Sequence, residues 1–254
     1  MGSGREHRKN LIFNKGIMFD LEQLINIDKQ LLLALNGSES LFWDGVWHVY
    51  TTTVVWIPFA LALVYLLIKN NNLMNFIVLL LMCALVIALA DGITSTICKP
   101  LFARFRPTHD PEIMYMVDVV NNHRAYKYGF MSSHAANSFG IAVFVILLVK
   151  NRLLSVSVLL WAALNSYSRI YLGVHYPGDI LCGALVGILC GVLVYKLYSF
   201  IRDKMRSGHR GWISDNYTKS GYSVSDVHFM LMVLYATFAL IPSIAFITLQ
   251  YKLI

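Results

Sequence analysis

The chain has 254 residues, of which 57% are hydrophobic and 14% charged, with a formal net charge of +7. Soluble domains carry about 25% charged residues, so this composition, with a mean hydropathy of +0.59, excludes an ordinary soluble globule and points to burial in lipid. The basic excess does not read as nucleic-acid binding, because Lys and Arg sit beside apolar runs, as membrane-surface residues do.

Residues 1–17 form a basic leader with no apolar stretch long enough for a signal peptide, and Met18 reads as an alternative start. From Leu21 to Leu35 the residues Leu21, Leu24, Ile25, Leu31, Leu32 and Leu35 share most of one helical face, with Glu22, Asp28 and Lys29 off it. This pattern predicts an amphipathic helix lying at the membrane interface. Trp43, Trp47 and Tyr50 then read as an interfacial aromatic belt.

Six spans are predicted: Val49 to Ile68, Leu73 to Ile97, His134 to Val149, Leu153 to Leu172, Ile180 to Tyr198 and Val227 to Leu249. Each approaches the ~20 residues needed to cross the hydrocarbon core, the third being short. Lys99-Pro100 should end the second span, because the residue before proline resists helix. The expected fold is an all-α polytopic membrane bundle. Residues 18–200 form its core, 201–226 a basic loop and 227–254 an additional C-terminal span. Gly183, Gly187 and Gly191 repeat every four residues, a face that favours close packing within the bundle. Cys83, Cys98, Cys182 and Cys190 lack metal-site spacing and read as packing residues.

Three polar constellations interrupt this apolar background. Ser168-Arg169 is followed by His175 and Asp179. Pro177 suits a helix start, which puts His175 at a helix N-terminus that favours anions. Asp179, four residues on, can accept the Nδ1 proton of His175 and leave Nε2 as a nucleophile. Arg169 offers a planar fork that matches phosphate. In Lys99 to Arg106-Pro107, the two cations are seven apart and share a face if helical. They read as a phosphate clamp or as headgroup anchors. In Met131-Ser132-Ser133-His134, a serine caps the third span and places His134 at a second helix start. Two spans separate the segment 99–134 from the segment 169–179, so both emerge on one side of the membrane.

Together these segments resemble the type-2 phosphatidic acid phosphatases, or lipid phosphate phosphatases, whose pattern is K-x6-RP, PSGH and SR-x5-H-x3-D. The first and third match in residue and spacing. In the second, Met131 stands where the family has Pro and Ser133 where it has Gly. The resemblance implies that His175 attacks phosphorus to form a phosphohistidine, that Asp179 orients it and that His134 protonates the leaving lipid oxygen. It implies that Lys99, Arg106, Ser132, Ser133 and Arg169 bind phosphate, with no metal and no other cofactor. The partner it implies is a membrane lipid, with undecaprenyl diphosphate and lipid A phosphate as substrate classes. Transfer of the phosphoryl group to an acceptor lipid is the alternative.

Basic residues Lys69, Lys150, Arg152, Lys196, Arg202, Lys204, Arg206 and Arg210 fall in or beside the loops opposite the motifs. By the positive-inside rule those loops are cytoplasmic, so the motifs face the periplasm or cell exterior; the resemblance implies the periplasmic side of a bacterial inner membrane. The segment Thr108 to Tyr128 reads as a headgroup pocket or as a solvated loop. Asp91 lies inside the second span, four before Ser95 and eight before Lys99, and also suggests a transporter. As a structural support, it should meet Asn137, Ser138, Asn165 or Ser166 across the bundle.

Overall fold

The computed structural model describes residues 20–120, 124–205 and 216–252. The predicted leader lies outside these residues, as do His123, Arg206 and Arg210. A helix over residues 20–35 (α1) opens the described chain. It is followed by α2 (Leu41–Thr51), α3 (Ile57–Lys69), α4 (Leu73–Asp91), α5 (Lys99–Phe102), α6 (Ser133–Val149), α7 (Arg152–Tyr171), α8 (Pro177–Met205) and α9 (Val224–Lys252). No strand forms among the described residues; Phe105 and Tyr128 make only an isolated antiparallel bridge.

Side-chain caps set several helix starts. Asn72 Oδ1 accepts from the Asn75 N–H at 2.9 Å and opens α4, and Asn151 Oδ1 accepts from the Leu154 N–H at 2.9 Å and opens α7. Between α6 and α7 the chain reverses at Lys150, which adopts a left-handed φ of 56°.

Among the described residues, four helical stretches are long and apolar enough to cross a bilayer: Leu73–Phe102, Arg152–Tyr171, Pro177–Asp203 and Val224–Tyr251. The count of six is therefore not reached by long spans alone. The expected first span is a pair, α2 and α3, bent by 64°, and the expected third is the 17-residue α6. The bend sits at Thr52, whose extended backbone ends α2 before a 3₁₀ turn over Thr53–Trp56. The aromatic belt is also corrected. Trp47 packs on Tyr167 with ring centroids 4.8 Å apart, and Tyr50, 4% exposed, packs on Trp56. Only Trp43 of the three is largely exposed.

The second span does not end at Lys99-Pro100. A π-helical stretch, Gly92–Cys98, runs from α4 straight into α5, with Pro100 in the first turn of α5. Proline clashes with the carbonyl four residues back in a regular helix, but a π turn already displaces that hydrogen-bond ladder.

The glycine face of α8 lies on α6. A Cβ at Gly183 would strike the Ser132 carbonyl oxygen, one at Gly187 the Ala136 carbonyl oxygen, and one at Gly191 the Gly140 carbonyl oxygen. The repeat therefore serves packing within the bundle. That close approach brings the Ser132 N–H to 3.1 Å from the Asp179 carbonyl oxygen, joining two motif segments. At the opposite end of the bundle, Asn70 donates to Asp226 Oδ2 at 3.0 Å, Asn71 donates to the Tyr222 hydroxyl, and Ser220 donates to the Val149 carbonyl. The turns near Lys69 and Lys150 are thus tied together at that end.

α1 presents Leu21, Leu24, Ile27 and Leu31 outward and turns Asp28 and Lys29 toward the protein. The segment 108–120 is folded beneath it. Ile113 and Val117 are buried with Leu32, Ile170 and Tyr176, and Lys29 pairs with Asp110 at 3.1 Å and Glu112 at 2.7 Å.

Candidate active site

His175 sits in the bend between α7 and α8, 2% exposed, with Asp179 one turn into α8 and 0% exposed. His175 Nδ1 lies 3.3 Å from Asp179 Oδ2, and Arg106 Nη1 lies 3.0 Å from His175 Nε2. A guanidinium can only donate, so Nε2 carries the lone pair and Nδ1 carries the proton directed at Asp179. Burial, reinforced by the charges of Arg106, Arg169, Lys99 and Arg104, holds the His175 pKa well below its ordinary value of 6.5. The ring is therefore neutral at neutral pH, as a nitrogen nucleophile requires.

The remaining predicted residues converge on the same end. Arg106 is held by Nη1 to the Val174 carbonyl at 2.9 Å and by Nε to the Tyr128 carbonyl at 3.1 Å. Lys99 donates to Ser133 Oγ at 2.7 Å and to Ser95 Oγ at 2.9 Å. Arg169 donates through Nη1 to Thr51 Oγ1 at 2.6 Å, while its buried Nε has no partner. Ser132 is buried and caps α6 by accepting from the Ala135 N–H. His134, in the first turn of α6, has an exposed side chain. Three cations, one unpaired N–H and two helix starts around a neutral imidazole form a site that an anion completes electrostatically.

A model of the PAP2 superfamily matches residues 80–203, which contain every one of these residues except Thr51. A lipid A 4′-phosphatase of Bacteroides thetaiotaomicron is 41% identical over 74% of this chain and 84% of its own length. The chain belongs to the PAP2 superfamily. An undecaprenyl-diphosphatase of Sulfolobus acidocaldarius is 30% identical over 73% of this chain and 81% of its own. The crystal structure of Aquifex aeolicus LpxE has the same fold, with a TM-score of 0.52, 24% identity, and coverage of 66% of this chain and 93% of that one.

Beyond the PAP2 motif residues, two more side chains support the pair. Arg104 donates through Nη1 to Asp179 Oδ1 at 2.8 Å and through Nη2 to Asp28 Oδ2 at 2.7 Å. Asp28, on α1, also accepts from the Gly178 N–H at 2.7 Å, so it caps the start of α8. Asp179 Oδ2 takes a further bond from the Tyr176 N–H at 3.1 Å. Sequence reasoning passed over Arg104 because it falls inside the unassigned x6 of the first motif. It placed Asp28 only on the polar side of an interfacial helix. Gly129 completes the packing: a Cβ there would meet Arg106 Cγ at 2.8 Å.

The expected partners of Asp91 are wrong. Asp91 is exposed, and Ser95 Oγ donates to it at 3.0 Å from its own helix. Asn165 donates instead to Ser138. The polar stripe Asp91–Ser95–Lys99 does exist as a hydrogen-bonded chain, ending at Ser133.

Proposed function

We propose that this integral membrane PAP2 lipid phosphatase removes a phosphate from the headgroup of a lipid A-type glycolipid by way of a phosphohistidine on His175. The observation that carries the mechanism is the His175 ring, with Nδ1 directed at Asp179 and the Nε2 lone pair against Arg106. When phosphate oxygens take the Arg106 guanidinium, Nε2 is released toward phosphorus. The N–P bond forms as the P–O bond to the lipid breaks, and His134 gives its proton to the leaving oxygen. Water then attacks phosphorus, the N–P bond breaks, His134 takes the proton and inorganic phosphate leaves. Lys99, Arg106, Arg169, Ser132 and the Ser133 N–H hold the phosphate and neutralise charge in both transition states. The lipid A class is favoured over undecaprenyl diphosphate by the identity of 41% against 30% in the two named relatives.

Facing of the site toward the periplasm of a bacterial inner membrane is supported by the gathering of the turns near Lys69 and Lys150 at the opposite end. The test is phosphate release by the purified protein from lipid A phosphate, undecaprenyl diphosphate and phosphatidic acid, together with acid-labile, base-stable labelling of His175. Release that survives in His175→Ala would overturn the mechanism, and a preference for undecaprenyl diphosphate would overturn the substrate. Label appearing on an acceptor lipid instead of in inorganic phosphate would identify a transferase.

A further inference from the structure

Behind His134 a cleft of about 290 Å³ opens sideways between the bend of α2 and α3, α4, α6 and α7. Its walls include Thr51, Ile87, Asn137, Trp161 and Asn165. Thr51 links it to the phosphate site, because the same Thr51 Oγ1 accepts from Arg169 Nη1. Asn165 is already committed to Ser138. Asn137 and Trp161 are not: Asn137 Oδ1 and Trp161 Nε1 are buried and have no partner among the described residues. A buried polar atom left unpaired is costly, so two on one cleft wall call for a ligand.

We infer that this cleft is a leaving-group subsite that reads hydroxyl or amide groups on the sugar carrying the scissile phosphate. The inference rests on the assignment of His134 as the acid that protonates the leaving oxygen, since that assignment fixes which side of the phosphate the cleft adjoins. Asn137 supplies an acceptor and Trp161 a donor. A hydroxyl or a secondary amide can satisfy both, whereas an ester-linked glycerol backbone offers no donor. The cleft wall carries no Lys or Arg. A leaving group that is itself a phosphate, as in a prenyl diphosphate, would enter it without a countercharge.

The test compares Asn137→Leu, which swaps the amide for an apolar group of similar size, and Trp161→Phe, which deletes the N–H together with the five-membered part of the indole, with the native enzyme. The probes are a lipid A 4′-phosphate, phosphatidic acid and undecaprenyl diphosphate, and orthovanadate serves as an inhibitor that fills the phosphate site alone. Each substitution should lower kcat/KM on the glycolipid about 5- to 10-fold, the loss of one hydrogen bond. Vanadate inhibition should not weaken in either variant, and the thermal midpoint should hold in Asn137→Leu, whose Oδ1 has no partner among the described residues; Trp161→Phe thins the packing on Trp56 and Phe59 and should lower the midpoint without changing vanadate inhibition. Equal losses on all three lipids, or no loss on the glycolipid, would overturn the subsite while leaving the phosphohistidine mechanism standing. Native enzyme that hydrolyses phosphatidic acid or undecaprenyl diphosphate as well as the glycolipid would also overturn it. Native enzyme that turns over none of the three would instead overturn the functional reading on which the subsite rests.

Discussion

Arg104 offers the sharpest test of how the His175–Asp179 pair is held. It is the only side chain among the described residues that binds both Asp28 and Asp179, at 2.7 and 2.8 Å, and its side chain is 24% exposed against 0% for Asp179. Removing one partner of a buried ion pair typically costs about 3–5 kcal/mol, because the other charge stays buried and unpaired. Arg104→Gln should fall at the low end, about 3 kcal/mol, since the exposed part of the guanidinium is already screened by water and Asp179 keeps the Tyr176 N–H and His175. The rate should suffer more than binding. A carboxylate free to turn no longer holds the imidazole, and misplacement of about 1 Å costs about 10²-fold. The expected result is kcat down about 30- to 100-fold with KM within about 3-fold, measured on any accepted lipid phosphate. Arg104→Lys keeps the charge but not the fork, so it should recover part of the rate. Asp28→Asn should act through the same network, and the double variant should lose less than the sum of the singles. Native kcat in Arg104→Gln, or full additivity with Asp28→Asn, would refute the reasoning.

Stability should fall as pH drops below about 6.5. The unfolded chain takes up a proton at His175 there, while the folded site, with its depressed pKa, does not; the slope for this one group is about 1.4 kcal/mol per pH unit. Thermal unfolding in detergent from pH 8 to 5 should be flatter for His175→Gln than for the native protein, and equal slopes would defeat the point. Gly187→Ala should lower the thermal midpoint sharply, since the new Cβ strikes the Ala136 backbone oxygen and the two helices must part; the expected cost is about 1–3 kcal/mol. Turnover should persist in excess chelator, because Lys99, Arg106 and Arg169 supply the positive charge; complete loss restored by magnesium would reverse this expectation.

Much of this arrangement was legible because its signals are short-range in sequence. Apolar runs of span length, a serine cap before His134 and a glycine every fourth residue on α8 are local patterns with local causes, and each has its counterpart in the structure. The i, i+4 spacing of His175 and Asp179 likewise becomes the 3.3 Å contact. The failures share a different cause. Asp91 was assigned a partner by treating α4 as a regular helix ending at Lys99. Asp91 closes α4 with its side chain outward and keeps its i, i+4 bond to Ser95, while the π-helical stretch Gly92–Cys98 carries the helix through Pro100. A π turn has no compositional signature that single-sequence periodicity detects. The bend at Thr52 carries a signal that span-length hydropathy passes over: Pro58 stands in the first turn of α3, a helix-start position, while hydropathy continues across the bend.

The more instructive miss is α1. Its outward Leu21, Leu24, Ile27 and Leu31 justify an interfacial helix, and that reading alone makes it an anchor separable from the chemistry. Its inward face says otherwise. Asp28 accepts from Gly178 and Arg104, and Lys29 bonds Asp110, which in turn accepts from the Tyr176 hydroxyl at 2.7 Å. Gly178 and Tyr176 flank Pro177, immediately after His175. The surface helix therefore grips both sides of the bend that carries His175. Contacts of this kind join residues about 150 positions apart, as Gly178 and Asp28 do, and no pattern within one segment can announce them. They also tie the helix that carries the apolar outer face to the candidate site: Asp28 and Lys29 hold the bend around His175 and Asp179.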